Sequence, residues 1–514
     1  MLSRRSFVTQ LPVGLAGLAS VTALSSRMAS AQSADAITIA YPSDVANWDP
    51  ISSGQGVVVP LHKSVFDMPL SFNPDLTVGP SIVTGYRWLD DKGMVLELTL
   101  REGVTFHNGD PLTSDDIKFS LQERPAADKS LMISGLWGDT KVKAVETPSP
   151  TKAVFHFTSP YVSAPSLLGS IPAYILPRKY FEQVGRQKFL ESPIGSGPYR
   201  LVDYLRDSRA VFEAYDKYWG GPARIKRVTF QIMKDVSSRI AAIQSGQVDF
   251  ASGLPVREVE RLSKQPNLAT AVHPINSAIM IHMVNKGVFQ DQNVRLAMHH
   301  AIDKEALSKA FYGGHAKPIS MWNSEGPAND PTFRMDFNRD KAKAYLAKSG
   351  YGPEKPVKLP FATINALFPN NFDVARTLVQ MWKAVGIEAD LQVLEQAKYF
   401  ELAHADKLEM PVLYAWTNSS GDPELFSGLF MDPKKRNSVW KSNDIPARLE
   451  PLLVEPDFGK RMAGYRDFDR WTVEQGYAFP LLLAPATAVY SRRIGYVPYR
   501  TGWALPYAWT LSQS

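Results

Sequence analysis

Histidine and carboxylate side chains lie close together at residues 299–305. His299 and His300, followed by Asp303 and Glu305, offer groups that bind several transition metals. The segment lacks the His-Glu-x-x-His order of zinc proteases and has the spacing of an amphipathic helix. We therefore expect these side chains on a helix surface, and we expect neither a metal nor a cofactor. The apolar stripe of that helix would be Val294, Ala297, Met298, Ala301 and Ile302.

Two further segments could supply a nucleophile and a base. The stretch Gly195-Ser196-Gly197 places a serine between glycines, but it matches neither a hydrolase elbow nor a lysine-containing phosphate loop. A tight turn leading into a strand is the better interpretation. His107 lies in a turn-rich stretch, where we expect a structural hydrogen bond. Without an activated nucleophile or a metal site, the sequence predicts that the protein is not an enzyme.

The composition excludes further chemistry and partners. The 514 residues include no cysteine, which rules out disulfides, thiolate metal ligands and catalytic thiols. Three of the positive charges are Arg4, Arg5 and Arg27, and the first 31 residues contain no acid, so their removal lowers the net charge from +6 to +3. Elsewhere basic and acidic residues alternate. We therefore expect no nucleic-acid partner.

The first 31 residues have the pattern of a secretory signal. Arg4 and Arg5 precede an apolar stretch over residues 11–24, and small residues end at Ala31. The paired arginines resemble the twin-arginine type, although general secretion remains open. The apolar stretch is shorter than the roughly 20 residues of a membrane-spanning helix. The sequence predicts export to the periplasm, cleavage after Ala31 and a mature chain without stable membrane insertion.

Local patterns alternate between strands and helices. Alternating apolar residues over 94–100 predict a strand with one buried face. After a turn-rich stretch, Thr113 and Asp116 have the spacing of a capping box at a helix start. The order strand, turn, helix is typical of an α/β architecture.

Two later segments predict a helix followed by a strand. Asp235 or Ser237 would cap a helix ending at Gly246, with a strand over 248–250. Asn370 or Asn371 would cap a longer helix that ends at Gly386, followed by an alternating strand over 387–393. Short helix-to-strand links favour largely parallel sheets. The apolar stripe of the longer helix would be Phe372, Leu378, Val379, Trp382 and Val385.

Several sequence blocks together point to a known family. The longest covers residues 65–123 and contains Arg101-Glu102-Gly103-Val104-Thr105-Phe106-His107-Asn108-Gly109-Asp110-Pro111-Leu112-Thr113. Further blocks follow along the chain: Gly195-Ser196-Gly197-Pro198-Tyr199, Tyr218-Trp219-Gly220-Gly221, Ser245-Gly246-Gln247-Val248-Asp249, and Trp416 before Gly421-Asp422-Pro423. In sequence and order these blocks resemble the family-5 extracellular solute-binding proteins, which include oligopeptide, dipeptide, murein-peptide and nickel receptors.

The resemblance implies a two-lobed α/β fold with mixed sheets, a hinge and an extra subdomain inserted in lobe one. By analogy, lobe one comprises residues 32–72, 191–271 and 480–514, with the inserted subdomain at 73–190. Lobe two would span 272–479. Two crossing strands near 272–276 and 480–484 would form the hinge.

The resemblance also implies a receptor that captures a small organic ligand between closing lobes. We expect a monomer that delivers this ligand to an inner-membrane ABC permease and its ATPase. A periplasmic sensor or chaperone with the same fold is the alternative, and a secreted hydrolase is the alternative from a different class. The expected ligand-binding residues are Tyr41, Pro42, Ser43, Asn276, Trp416, Asn418, Ser419, Trp440 and Trp503.

One position departs from the peptide-binding pattern. In peptide-binding members that resemble this chain, an aspartate three residues after the tryptophan pairs with the ligand's α-ammonium, and here that position is Ser419. A hydroxyl cannot supply the charge that offsets burial of an ammonium. Asp422 could replace the carboxylate, but its position before a proline favours a turn-shaping role. The ligand is therefore expected to be amine-blocked or amine-free.

Overall fold

The computed structural model describes residues 35–365, 367–438 and 440–512. The predicted signal and its cleavage after Ala31 lie outside these residues. The strands, numbered in chain order, are β1 Ala36–Tyr41, β2 Leu70–Phe72, β3 Val78–Pro80, β4 Val83–Trp88, β5 Val95–Leu100, β6 Val142–Ser149, β7 Lys152–Phe157, β8 Tyr199–Leu205, β9 Arg209–Ala214, β10 Arg227–Ile232, β11 Phe250–Ser252, β12 Leu268–His282, β13 Lys317–Pro318, β14 Val357–Ile364, β15 Ile387–Leu394, β16 Val412–Thr417, β17 Ala478–Ser491, β18 Ile494–Gly495 and β19 Thr510–Leu511.

Helices lie between these strands along most of the chain. They are α1 Val59–Val65, α2 Ser114–Lys118, α3 Arg124–Ala127, α4 Ser134–Trp137, α5 Ala164–Leu168, α6 Arg178–Glu191, α7 Val236–Ser245, α8 Val256–Leu262, α9 Gln292–His300, α10 Lys304–Tyr312, α11 Arg339–Lys348, α12 Asn371–Lys383, α13 Gln396–His404, α14 Ser427–Met431, α15 Pro446–Leu449 and α16 Phe458–Glu474. Among the described residues, no helix has the length and apolar character needed to cross a bilayer.

One large mixed sheet runs through the molecule in the order β15-β14-β16-β12-β17-β11-β1-β10-β9-β8, with β13 added beside β17. Strand β1 pairs in parallel with β10 and β11, and β14 pairs in parallel with β15 and β16. The long strands β12 and β17 pair antiparallel at the centre. The sheets are therefore mixed, as the family resemblance implied. The expectation of largely parallel sheets is wrong.

Two large hydrophobic cores divide the fold into two lobes. The lobe-one core collects buried residues between positions 37 and 250 together with 488–509. The lobe-two core collects buried residues between positions 278 and 483. Strands β12 and β17 reach both lobes, and the hinge segments predicted at 272–276 and 480–484 lie within them. The exact domain boundaries stay predictions.

A separate antiparallel sheet, β4-β5-β7-β6, contributes to the lobe-one core and lies within the predicted insert. The alternation over residues 94–100 is confirmed in β5, where Leu96, Leu98 and Leu100 are buried. Thr113 and Asp116 form the predicted capping box at the start of α2. Short-range sequence signals therefore place this part of the fold correctly.

The predicted start and stop of α7 are confirmed, whereas α12 begins after Asn370 without a side-chain cap hydrogen bond and ends at Lys383 instead of Gly386. Asp235 caps α7, and Gly246 ends it at φ 77°, a left-handed conformation that glycine adopts without steric cost. The following strand begins at Phe250 rather than at residue 248. In α12 the expected apolar stripe is wrong at Phe372, which is 45% exposed.

The expected surface position of His299 and His300 is wrong because both side chains are buried. The His299 ring nitrogen Nε2 lies 2.9 Å from the carbonyl oxygen of Ala478, and His300 Nδ1 lies 2.9 Å from that of Asp336. Burial lowers the pKa of His299 well below its usual range. These histidines join α9 to β17 and to the segment before α11.

His107 makes the structural hydrogen bonds expected from the sequence. Its Nε2 lies 3.0 Å from the carbonyl oxygen of Gly197, and its Nδ1 accepts from the backbone N–H of Gly195 at 3.3 Å. The chain bends at residues 196–198 before it enters β8, close to the predicted turn. One acceptor and one donor nitrogen require the neutral ring. Burial lowers the pKa of His107 to about 4.

We expect His107 to make folding depend on acidity between about pH 6.5 and pH 4. The unfolded chain binds this proton at an ordinary pKa near 6.5 and the folded chain binds it only near 4, so stability falls as the pH falls. Between pH 6.5 and pH 4, the free energy of unfolding of the wild type should fall by on the order of 3 kcal/mol more than that of His107→Gln. Urea unfolding of both proteins at pH 7 and pH 4 measures the difference. Parallel losses in the two proteins would contradict this role.

Candidate functional site

The candidate site lies where the lobe-two part of the large sheet meets lobe one. Strand β16 pairs with β12 and brings Trp416 opposite Ala278. The segment that follows, Trp416 to Leu425, is called the 416–425 loop below. It leaves the end of β16, turns back through a short 3₁₀ helix over Pro423–Leu425, and reaches α14. This loop contains three of the predicted ligand-binding residues.

Trp416 is half-buried at the start of this loop. Its indole Nε1–H donates to the carbonyl oxygen of Leu425 at 3.0 Å. The ring packs edge-on against Phe430, with centroids 5.5 Å apart. Because the indole N–H is used within the loop, Trp416 can offer a ligand the exposed part of its flat apolar ring.

A row of backbone hydrogen bonds connects four segments at this site. The N–H of Arg500 donates to Pro74 O at 2.9 Å, and the N–H of Asn276 donates to Arg500 O at 2.8 Å. The N–H of Asn418 then donates to Asn276 O at 2.9 Å. The hairpin tip before β3, the C-terminal segment, the central strand β12 and the 416–425 loop are thereby held side by side.

The side-chain amides of Asn276 and Asn418 hold the loop in shape. Asn276 Nδ2 donates to Asn418 O at 2.8 Å, and Asn418 Nδ2 donates to Asp422 O at 2.8 Å. Asn418 Oδ1 accepts from the N–H and the hydroxyl of Ser420. Both side chains are buried. They act on the site by fixing backbone positions around Ser419.

Asp422 is buried and its carboxylate is fully engaged by protein groups. Arg461 binds it with two guanidinium nitrogens, one of them at 2.9 Å from Oδ2. Ser166 donates its hydroxyl to Oδ2 at 3.0 Å, and the N–H of Glu424 donates to Oδ1 at 2.9 Å. These contacts agree with a turn-shaping role. They leave Asp422 poorly placed to pair with a ligand ammonium.

Ser419 is half-buried between the two engaged residues Asn418 and Asp422. Gly421, two residues after Ser419, has φ 66°. A Cβ at Gly421 would lie 3.6 Å from the Cβ of Leu76, which belongs to the hairpin tip of lobe one. The loop therefore touches the opposite lobe immediately beside Ser419.

The predicted residues at the end of β1 lie within lobe one. The Tyr41 hydroxyl donates to the carbonyl oxygen of Val57, and the Ser43 hydroxyl donates to that of Asp44 at 3.3 Å. Pro42 between them is half-buried. The contacts of these residues connect them to lobe one, and their role in binding stays a prediction.

Two predicted tryptophans pack in hydrophobic cores, and their role in binding stays a prediction. Trp440 stacks on Tyr477 with centroids 4.4 Å apart, and Arg295 lies over its ring. Trp503 packs in a small buried cluster with Val59 and Phe72 of lobe one.

Several residues that contact the site are remote from it in sequence and were not predicted. Ser166 in α5 and Arg461 in α16 converge on Asp422. Arg500 of lobe one forms an ion pair with Glu325 of lobe two at 3.1 Å. No local pattern marks these residues, because their partners are remote in sequence.

Comparison with known proteins identifies the family. Residues 77–438 match the model for the family 5 middle region of bacterial extracellular solute-binding proteins. The chain belongs to this family. Among its relatives, the dipeptide-binding protein of Escherichia coli K12 is 25% identical over 413 residues, which are 74% of this chain and 76% of that protein. The glutathione-binding protein GsiB of Salmonella typhi is 22% identical over 506 residues, covering 95% and 96%.

A solved structure confirms the two-lobed fold of this solute-binding protein. HbpA2 from Haemophilus parasuis aligns with a TM-score of 0.82 at 21% identity. The alignment covers 93% of this chain and all of that one. The family and the architecture implied by the sequence blocks are therefore confirmed.

Proposed function

We propose that this solute-binding protein captures, in the periplasm, a small peptide-like or modified ligand without a free α-ammonium and delivers it to an ABC permease. The N-terminal signal pattern supports export, and the relative named for dipeptides supports a peptide-like ligand. Modified peptides, opine-like or sugar-containing compounds and chelated metals fit this description. No step in the proposal requires bond chemistry, because a ligand closes the lobes through its differential contacts with the closed form.

The single observation that carries the ligand class is the charge balance at Ser419. The loop provides a hydroxyl at this position, and the nearby carboxylate of Asp422 is neutralised by Arg461. An ammonium brought to this place would lose its hydration without gaining a free negative partner. A ligand end that is acylated or lacks an amine avoids that cost.

A thermal-shift screen can find the ligand. The protein is refolded from denaturant to remove bound compounds and is then tested against amine-blocked peptides, opines, sugar conjugates and metal chelates. A ligand at 100 times its dissociation constant should add about 2.7 kcal/mol of stability. Stabilisation by members of these classes supports the proposal. If unmodified peptides were the only stabilising compounds, the proposed ligand class would be wrong.

Trp416→Ala is expected to weaken binding of the compound found in that screen by roughly 30-fold. Loss of the exposed indole face removes apolar contact area and admits water beside Ser419. Trp416→Phe keeps a flat ring but lacks the N–H that contacts Leu425, and serves as the matched variant. Calorimetry of the three proteins gives the dissociation constants. Equal affinities in wild type and Trp416→Ala would remove this residue from the site.

A further inference from the structure

The 416–425 loop of lobe two is held from lobe one by direct contacts on both sides. The hydroxyl of Ser166 donates to Asp422 Oδ2 at 3.0 Å, across 256 positions of sequence. Leu76, at the tip of the β2–β3 hairpin, lies against Gly421. Leu425 packs against the lobe-one core although its neighbours belong to lobe two. These residues form a contact surface between the lobes beside the candidate site.

The conformation of the hairpin tip indicates that this contact is specific. Leu76 adopts φ 72°, a left-handed conformation that is costly for a residue with a Cβ atom. It is half-buried, whereas its neighbours Asp75 and Thr77 are exposed. The hairpin tip therefore directs Leu76 toward the facing lobe, and the contact with Gly421 covers part of this side chain.

The hydrogen bonds of Asp422 extend from the lobe contact to the residues around Ser419. The Asp422 N–H donates to the Ser420 hydroxyl at 3.1 Å, and its carbonyl oxygen accepts from Asn418 Nδ2 at 2.8 Å. Ser166 supplies the one hydrogen bond to this carboxylate that comes from lobe one, among the described contacts. The charge of Asp422 also acts on lobe one. Burial raises the pKa of Tyr86, and the negative charge of Asp422 raises it further.

We propose that Ser166 is a positioning residue that couples lobe closure to the shape of the 416–425 loop. When the lobes close, its hydroxyl completes the shell of donors around Asp422 and fixes the backbone on both sides of Ser419. When the lobes separate about β12 and β17, this hydrogen bond must break, since its two partners belong to different lobes. The inference goes beyond the proposed ligand and does not depend on its identity.

The chain provides a matched control in the same segment. Ser163 immediately precedes α5, is fully buried, and its hydroxyl has no partner among the described residues. Ser163→Ala and Ser166→Ala remove the same atom from the same subdomain. Only Ser166→Ala removes a hydrogen bond between the lobes. Ser166→Thr keeps a hydroxyl donor and tests rescue.

Lobe closure can be measured directly because the chain has no cysteine of its own. Lys217→Cys and Lys383→Cys place spin labels at exposed positions of lobe one and lobe two. Pulsed electron–electron distance measurements then use the full chain, refolded without added ligand. Ser166→Ala should raise the ratio of long to short distances roughly tenfold, since hydrogen bonds to charged groups are stronger than neutral ones. Ser163→Ala should match the wild type, and Ser166→Thr should recover part of the short distances.

Hydrogen exchange provides the readout for loop positioning. The amides of Ser420 and Asp422 should exchange several-fold faster in Ser166→Ala than in wild type and Ser163→Ala. A merely structural role would change the melting temperature without these selective effects. Unchanged distances together with unchanged exchange at Ser420 and Asp422 would overturn the proposal. A wild type without a short-distance population would also overturn it.

Discussion

Replacing Arg461 by methionine is expected to lower the free energy of unfolding by roughly 3–5 kcal/mol. The side chains of Arg461 and Asp422 are only 3% and 1% exposed, so the change leaves a buried carboxylate without its cation. The remaining donors, Ser166 and the Glu424 N–H, are neutral and cannot replace a bidentate guanidinium. Urea unfolding followed by circular dichroism measures the loss.

An exposed ion pair provides the control for Arg461. Lys434 lies 2.7 Å from Glu450 with side chains 74% and 50% exposed, so Lys434→Met should change the free energy of unfolding little. The double variant Arg461→Met with Asp422→Asn removes both charges and leaves no uncompensated one. Its loss of stability should therefore be smaller than the sum of the losses in the two single variants. If Arg461→Met cost no more than Lys434→Met, Asp422 would not depend on Arg461 for its charge balance.

Ser419→Asp is expected to create affinity for unmodified dipeptides, roughly 30-fold above that of Ser419→Asn. The two substitutions have nearly the same shape, and only the aspartate carries the charge that an ammonium needs. Asp422 cannot supply this charge because Arg461 already binds it. Calorimetric titration with one dipeptide and its N-acetylated form separates the charge effect from the shape effect.

The outcome for the acetylated form completes the Ser419 experiment. A gain confined to the unmodified dipeptide is expected, because only that compound carries the ammonium. Equal affinity of Ser419→Asp and Ser419→Asn for the unmodified dipeptide would show that the ligand's amino end does not reach this position.

The sequence predicted those features whose causes lie within a few residues. The capping box of Thr113 and Asp116, the glycine stop at Gly246 and the alternating burial of β5 all depend on near neighbours. The family blocks also predicted the two-lobed architecture, which the structural comparison confirms. Such features can be recognised in a linear pattern.

The errors occur where distant segments decide the environment. The apolar stripe of α9 was recognised, but the segment near Asp336 covers His300, and β17 covers His299 on the other side. In α12 the helical period included Phe372, which stays 45% exposed. Periodicity gives the face of a helix but does not say how much of that face is covered.

The candidate site combines local and distant causes. The 416–425 loop was predicted from its own motif, and the structure adds the backbone row through Asn276 and Arg500. Ser166 could not be inferred, since its partner lies 256 positions away. Trp440 and Trp503 were expected at the site from their residue type; the structure shows both buried among apolar side chains, and their role in binding stays a prediction.

The most direct measurement of the proposed ligand class is calorimetric binding to the refolded wild-type protein. Matched pairs of short peptides, unmodified and N-acetylated, are titrated under the same conditions. We expect no measurable binding by the unmodified members, with any binding confined to the acetylated ones, because Ser419 offers no charge and Asp422 is paired with Arg461. Tight binding of unmodified peptides, lost on acetylation, would contradict this account.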